Sequence, residues 1–396
     1  MKKIKGAILL VLDSVGIGAA PDADAYGDGG ANTLVHVADA AGGLNTPQLE
    51  RLGLGRCADV VPGGRAIGGV GAVDHPAADF GVMEEVSRGK DTTVGHWEMA
   101  GIEVKEGFRV FPAGPPSFPA DLISAFEERT GRPVIGDRAA SGTEIILELG
   151  AEQMERGAWI VYTSADSVMQ IAAHEEVVPL GELYAACAIA RELCDPLMVG
   201  RVIARPFVGG PGTFRRTDNR RDYSLPLPEP TVMERLVAKG IPVVYVGKVD
   251  DIFAHSGMTQ TLHSESNRRA QGDLIELARK GQEGLIFANL IDFDMVHGHR
   301  RDAIGYARAL EETDRFLGEL IALLGDGGLL IITADHGCDP TFRGTDHTRE
   351  FVPLLAYRHG RRGGRNLGIR KGFFDIAQSL ATFFAIEPMA RGVNFL

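Results

Sequence analysis

Acidic and imidazole side chains recur at one kind of place in this chain, directly after short apolar runs. The run Ala7–Leu12 is followed by Asp13. The run Leu285–Ile291 is followed by Asp292, Phe293 and Asp294, with His297 and His299 close behind. Leu329–Thr333 is followed by Ala334, Asp335 and His336, and the segment GTDHTRE (Gly344–Glu350) carries His347 just before the apolar stretch Phe351–Tyr357. A single Asp after an apolar run is an ordinary cap or turn former, and a single His is an ordinary surface or core residue. Three Asp and three His gathered at one place are a different matter, because the carboxylates repel one another unless cations neutralise them. Mixed oxygen and imidazole ligation suits manganese or zinc better than magnesium or calcium. Two such ions about 4 Å apart clamp the attacking and leaving oxygens of a phosphoryl group. Two divalent ions against three carboxylates leave one positive charge, a suitable field for a phosphate dianion. Asp292 and Asp294 compete for one place in this set, since both would lie on one face if the strand continued.

Such a site also needs a nucleophile. The Gly-flanked stretch GKDTTVGHWE (Gly89–Glu98) offers the hydroxyls of Thr92 and Thr93. A threonine hydroxyl is a poor nucleophile at neutral pH, and metal coordination is one way to activate it. Without the acidic and imidazole set, this stretch would be an ordinary loop, and the residues alone leave Thr92 and Thr93 open.

The elements that must position these side chains are short strands alternating with helices. Strand-type runs are Ala7–Leu12, Trp159–Tyr162, Val243–Val246, Leu285–Ile291 and Leu329–Ile332; helix-like stretches are Thr231–Lys239, Asn267–Lys280 and Arg301–Leu324. This rhythm predicts an α/β fold with a largely parallel sheet covered by helices on both faces. Ligands in such a sheet bind beyond the carboxyl ends of the strands, so distant segments can deliver their acids to one rim. Two Pro- and Gly-rich segments, 105–119 and 205–230, interrupt the rhythm as irregular crossings. Between them lies enough chain for a small core of its own. The expected organisation is a core domain of residues 1–104 and 223–396 with a smaller α+β cap domain, 105–222, inserted into it.

A chain of 396 residues is too long for one ordinary core, which agrees with two domains. Its 44% hydrophobic and 24% charged residues are those of a soluble globular protein. A formal net charge of -12 leaves no basic surplus for binding nucleic acid. Cys57, Cys187, Cys194 and Cys338 show neither zinc spacing nor the density of a disulfide scaffold. The N-terminal apolar run is too short for a signal peptide and ends at Asp13, and no stretch reaches transmembrane length. A cytoplasmic enzyme is the expectation, with no membrane or obligate protein partner.

Six stretches together resemble the phosphopentomutase family of the alkaline phosphatase superfamily. They are LDSVGIG (Leu12–Gly18), GKDTTVGHWE, YTSADSVMQIAAHEE (Tyr162–Glu176), DFDMVHGHRRD (Asp292–Asp302), TADHG (Thr333–Gly337) and GTDHTRE. The resemblance covers nearly the whole chain. TADHG alone would indicate only the superfamily; KDT followed by GHWE, with SADS and TDHTRE, is much more specific. The resemblance implies an alkaline-phosphatase-like core with a cap. It implies one divalent metal, most suitably Mn2+, on Asp294, His299 and His347, and a second on Asp13, Asp335 and His336. The five-residue step to His299 selects Asp294 over Asp292 and leaves His297 without a ligand role. Thr92 matches the phosphorylated nucleophile. Ser164 and Asp166 would face the sugar hydroxyls, Arg201 and Arg216 the distal phosphate, and Lys248 the substrate phosphate from the core. The implied reaction interconverts ribose (or deoxyribose) 1-phosphate and 5-phosphate, in nucleoside salvage, with a sugar bisphosphate as primer.

Three other readings compete. A metal-dependent phosphatase or phosphodiesterase would use the same sheet and metals, with water access deciding the outcome. The cofactor-independent phosphoglycerate mutases place a serine where this chain has Thr92. A metal-binding module without turnover would be expected to have lost a ligand or the nucleophile, and every matched position here is filled.

Overall fold

The computed structural model describes residues 5–164 and 167–396. The described strands are β1 (Lys5–Leu12), β2 (Asp79–Glu84), β3 (Val134–Ala139), β4 (Trp159–Thr163), β5 (Val168–His174), β6 (Arg201–Val208), β7 (Arg215–Arg216), β8 (Arg221–Ser224), β9 (Val243–Val246), β10 (Gln260–Leu262), β11 (Glu283–Leu290), β12 (Leu329–Thr333), β13 (Val352–Arg358) and β14 (Asn366–Lys371). The chain forms two compact units: the part up to Lys105 together with Pro228–Leu396, and Glu106–Leu227. The second unit runs past residue 222 because β8 pairs antiparallel with β6. Residues 205–230, expected to be irregular, therefore contain the end of β6 and the short strands β7 and β8.

The first unit is built on one eight-stranded sheet of order β10-β9-β11-β1-β12-β13-β2-β14. Neighbours from β10 through β12 pair in parallel, β13 runs against both β12 and β2, and β14 is again parallel to β2. The α/β fold with a largely parallel sheet is thus the observed one. Its central strands are apolar on both faces, and Ala7 to Leu12 are all buried, as sheets covered on both sides require. Helices Asn267–Lys280 and Ala303–Ala322 follow the expected segments closely. Ser266 and Asp302 open them by accepting the backbone N–H of Arg269 and Gly305.

The second unit carries a mixed sheet, β3-β4-β5-β6-β7. Strand alternation divides its core in two. Trp159, Val161, Met169 and Ile171 pack with Leu122, Phe126, Leu183 and Ala186 from helices Ala120–Thr130 and Leu180–Cys194. Ile160, Tyr162, Ala172 and Phe207 pack with Ile145 and Ile146 from helix Gly142–Arg156. Cys187 and Cys194 are free thiols buried in the first of these cores. Among the described residues no helix is long and apolar enough to cross a membrane.

Candidate active site

β11, β1 and β12 are consecutive parallel strands, so their carboxyl ends share one edge of the first sheet. Val11 lies opposite Thr333, and the next inward-facing positions on each strand, Asp13 and Asp335, therefore sit at one level. Just past β1 the backbone turns sharply at Ser14, which has φ +67°. The turn lets Ser14 N–H donate to Asp335 Oδ1 (3.0 Å) while its hydroxyl meets that of Tyr306 (3.2 Å). Asp13 Oδ2 accepts 2.7 Å from Asn289 Nδ2 on β11.

β11 does not continue to Asp294. It ends at Leu290, and Phe293–Gly298 winds into a π-helical turn, a feature frequent at functional sites. The expectation of a continuing strand with Asp292 and Asp294 on one face is corrected here. Asp292 Oδ2 accepts the N–H of Asn267 (2.8 Å), whereas Asp294 faces His299 Nε2 (3.1 Å) and His347 Nε2 (3.4 Å). His297 pairs instead with Asp302 (3.1 Å).

The structure brings all six expected acids and imidazoles together. Asp13, Asp335 and His336 form one group of converging donor atoms; Asp294, His336 and His347 form another, and Asp294 also meets His299 and Cys338. His336 and His347 are in ring contact at 4.1 Å, and His347 and His299 at 4.7 Å. His336 Nδ1 donates to Gly337 O (3.0 Å) and His299 Nδ1 to Thr345 O (2.6 Å). Each neutral ring therefore presents the lone pair of Nε2 to a carboxylate. Asp13 Oδ1, Asp294 Oδ1, Asp335 Oδ2 and His347 Nε2 are buried without a hydrogen-bond partner. Acceptors that face acceptors in a dry place fit divalent cations between them.

The electrostatics agree. Burial raises the Asp13 carboxyl well above its usual range, and the charges of Asp335 and Asp294 push it further. Burial also opposes charge on Asp294 and Asp335, but the imidazoles facing them, His299 and His347 on one and His336 and His96 on the other, hold both low. His336 is raised despite its burial, because Asp335 and Asp13 attract its proton.

Thr92 opens helix Thr92–Met99. Asp91 caps that helix by accepting the N–H groups of Thr93 (3.0 Å) and Val94 (3.2 Å). The Thr92 hydroxyl lies 3.1 Å from His336 Nε2, so of the two threonines it is Thr92 whose hydroxyl meets the cluster.

The rest of GHWE acts through contacts that spacing could not show. His96 Nδ1 donates to Thr92 O (2.9 Å) and stands 3.2 Å from Asp335 Oδ2. A Cβ on Gly95 would come within 2.4 Å of Asp335 O. Trp97 Nε1 donates to Ile252 O (2.9 Å), and the buried Glu98 accepts the N–H groups of Val86, Ser87 and Phe373. Asn289, Tyr306, His96 and Cys338 were all missed as site neighbours. Cys338 Sγ is 3.9 Å from His299 Nδ1, and burial pushes its thiol up.

Lys248, at the start of the short helix Val249–Ile252, reaches Met295 Sδ at 3.8 Å, one residue from Asp294. In the second unit Ser164 follows β4 and is half-buried, Arg201 opens β6, and Arg216 on β7 donates to Tyr162 OH (3.2 Å) with its Nε buried and unpartnered. Asp166 lies outside the described residues.

A model of the metalloenzyme superfamily matches residues 5–388. The phosphopentomutase of Clostridium novyi is 51% identical over 394 residues, covering 99% of this chain and 98% of that one. That of Desulfitobacterium hafniense is likewise 51% identical over 394 residues, covering 99% of both. That of Anaeromyxobacter sp. (strain K) is 51% identical over 390 residues, covering 98% and 97%. With a catalytic-type cluster intact and full-length relatives of this kind, the chain belongs to the phosphopentomutase family, isomerases of the metalloenzyme superfamily.

Proposed function

We propose that this enzyme interconverts α-D-ribose 1-phosphate and ribose 5-phosphate, and the corresponding deoxyribose esters, through a phosphothreonine at Thr92. The observation that carries the reading is the Thr92 hydroxyl at a helix N-terminus, 3.1 Å from His336 within a set of three carboxylates and three imidazoles. The name shared by full-length relatives supports the pentose substrate and the mutase outcome.

In this reading the free hydroxyl of a pentose monophosphate attacks the phosphorus on Thr92. The bond to Thr92 Oγ1 breaks, the hydroxyl proton is released, and ribose bisphosphate forms. The intermediate turns over, Thr92 Oγ1 attacks the other phosphoryl group, and the opposite isomer leaves with the enzyme rephosphorylated. A trace of sugar bisphosphate primes an enzyme that has lost its phosphate. Asp13, Asp335 and His336 hold one divalent cation and Asp294, His299 and His347 the other, with Mn2+ the ion their mixed donors suit. When bound, these ions neutralise charge on the transferring group and favour the ionised hydroxyl.

Asp91 keeps the helix start in place, and His96 ties Thr92 to Asp335. On the sequence resemblance, Ser164 and Asp166 hold the sugar hydroxyls, Arg201 and Arg216 the distal phosphate, and Lys248 supports a phosphate from the first unit; an arginine fork suits that task. Water must be kept from the phosphothreonine, or the mutase becomes a phosphatase. A cytoplasmic place in nucleoside salvage follows from the same reading.

Phosphorus NMR of the manganese-loaded enzyme with ribose 1-phosphate and a trace of sugar bisphosphate tests it. Ribose 5-phosphate should appear with total ester conserved. Accumulation of inorganic phosphate instead would make the enzyme a phosphatase.

A further inference from the structure

Just before β13, the side chain of Glu350 is buried against the loops that leave β1 and β12. Its Oε1 accepts the hydroxyls of Thr33 (2.7 Å) and Thr348 (2.7 Å). Its Oε2 accepts the N–H groups of Thr33 (2.9 Å) and Gly18 (3.1 Å). Three separate segments of chain thus converge on one carboxyl group, which burial would penalise without such partners. A Cβ on Gly16 or on Gly337 would collide with the same carboxyl group. Backbone therefore packs against it from both loops, at an approach that glycine permits.

The segments that meet Glu350 are the chain neighbours of metal-type donors. Gly16 and Gly18 follow Asp13, Gly337 directly follows His336, and Thr348 directly follows His347. Gly337 N–H donates to Thr348 O (2.9 Å) and Thr348 N–H to Gly337 O (2.7 Å). This small bridge sets His336 and His347 side by side, with their rings 4.1 Å apart. In the proposed assignment Asp13 and His336 serve one ion and His347 the other, so the bridge spans the two metal sites.

We infer that Glu350 is a positioning residue that fixes the spacing of the two metal sites, by holding the Asp13 loop and the His336–His347 bridge to one carboxyl group. The inference rests on the proposed assignment of the metals. Four hydrogen bonds do the holding, so the position needs their shape rather than a charge. A glutamine supplies that shape. Its oxygen can accept both N–H groups, and its amide can donate to both threonine hydroxyls, which accept as well as donate. An alanine leaves the N–H groups of Gly18 and Thr33 buried without an acceptor.

Manganese titration of the full-length enzyme, followed by electron paramagnetic resonance, compares wild type with Glu350→Ala and Glu350→Gln. The free-ion signal gives the affinity, and two ions about 4 Å apart couple their spins. Glu350→Ala should weaken manganese binding about 10-fold or more, the scale of outer-shell losses at metal sites. The coupled signal of the pair should give way to that of isolated ions. Glu350→Gln should restore both. A purely structural Glu350 would lower thermal stability in the alanine variant and leave affinity and coupling as in wild type, which overturns the inference. A glutamine variant as impaired as the alanine variant overturns it as well. If Glu350→Ala does not fold, Thr33→Val carries the comparison, since it removes one hydroxyl from Glu350 at the start of helix Thr33–Ala41. Manganese should then bind more weakly than in wild type, and unchanged affinity counts against the inference. A wild-type enzyme that binds no manganese would instead sink the metal assignment itself.

Discussion

The hydroxyl of Thr92 lies 3.1 Å from Nε2 of His336, although 244 positions of chain separate them. The pairing sets a hydroxyl at a helix N-terminus against an imidazole already fixed by its other nitrogen, which donates to Gly337 O. Replacing Thr92 with Ala should abolish covalent phosphate on the protein and lower kcat on the order of 10⁴-fold or more, as loss of a covalent nucleophile does. Thr93→Ala should keep the phosphoenzyme. Intact-mass measurement after incubation with a sugar bisphosphate distinguishes the two variants; a phosphorylated Thr92→Ala protein would sink the assignment.

Asp294 is the carboxylate on which His299 and His347 converge. Asp294→Asn should remove close to one equivalent of bound manganese and reduce turnover at least about 10²-fold, the scale seen even for outer-shell changes at metal sites. Asp292→Asn should leave metal content unchanged, because that side chain serves Asn267 N–H. Elemental analysis of the two purified variants makes the comparison.

Metal binding should be strongly pH-dependent. His336 and His299 are both raised above the usual histidine value, His336 by Asp335 and Asp13 and His299 by Asp294. In the metal-free enzyme these rings hold protons to higher pH than a free imidazole does, and an incoming cation must displace them. Apparent affinity should therefore rise with pH through the neutral range and level off only above the raised histidine values. Calorimetry in two buffers of different ionisation enthalpy should show proton release at pH 7; no release would contradict the raised values.

Gly95 sits where a methyl group would meet Asp335 O at 2.4 Å and Asp335 Cβ at 2.9 Å. In an exposed helix, Gly→Ala stabilises by about 1 kcal/mol. Here the close approach reverses the sign: Gly95→Ala should destabilise the protein by roughly 1–3 kcal/mol, as overpacking does, and weaken metal binding by displacing Asp335. Thermal melting with and without manganese reads both effects.

Arg349 is almost fully buried and donates to both oxygens of Asp22, to Glu85 and to Gly89 O. It ties down the segment that leads into Lys90, Asp91 and Thr92. Arg349→Met should cost about 3–5 kcal/mol, because Glu85 is left buried without its partner. Denaturant unfolding of the metal-loaded protein gives the value; a loss below about 1 kcal/mol would show that Glu85 is neutral in the fold.

Much of this was legible from residue order. Apolar runs with Asp13, Asp294 and Asp335 behind them, alternating with helices, implied a parallel sheet. A parallel sheet places the ends of β11, β1 and β12 at one edge whatever the loops between them do. Periodicity also located helices Asn267–Lys280 and Ala303–Ala322, because their apolar faces repeat at helical spacing. These features depend on local chain geometry, and local geometry is written in neighbouring residues.

What could not be read in that way depends on contacts between segments far apart. Apolar patterning left Asp292 and Asp294 together, and only the five-residue step to His299 implied by the resemblance separated them; the physical reason is a strand that stops at Leu290 and a chain that winds into a π-helical turn. The residues alone left Thr92 and Thr93 open, the resemblance named Thr92, and only the fold shows the Thr92 hydroxyl beside His336. Strands β7 and β8 hide in a Pro- and Gly-rich stretch, since they are held by pairing to β6 rather than by their own propensity. His96 and Cys338 became visible only when the fold brought them beside Asp335 and His299. Spacing along a chain limits which faces residues can share, but packing sets the distances between side chains, and metal and phosphoryl chemistry depends on those distances.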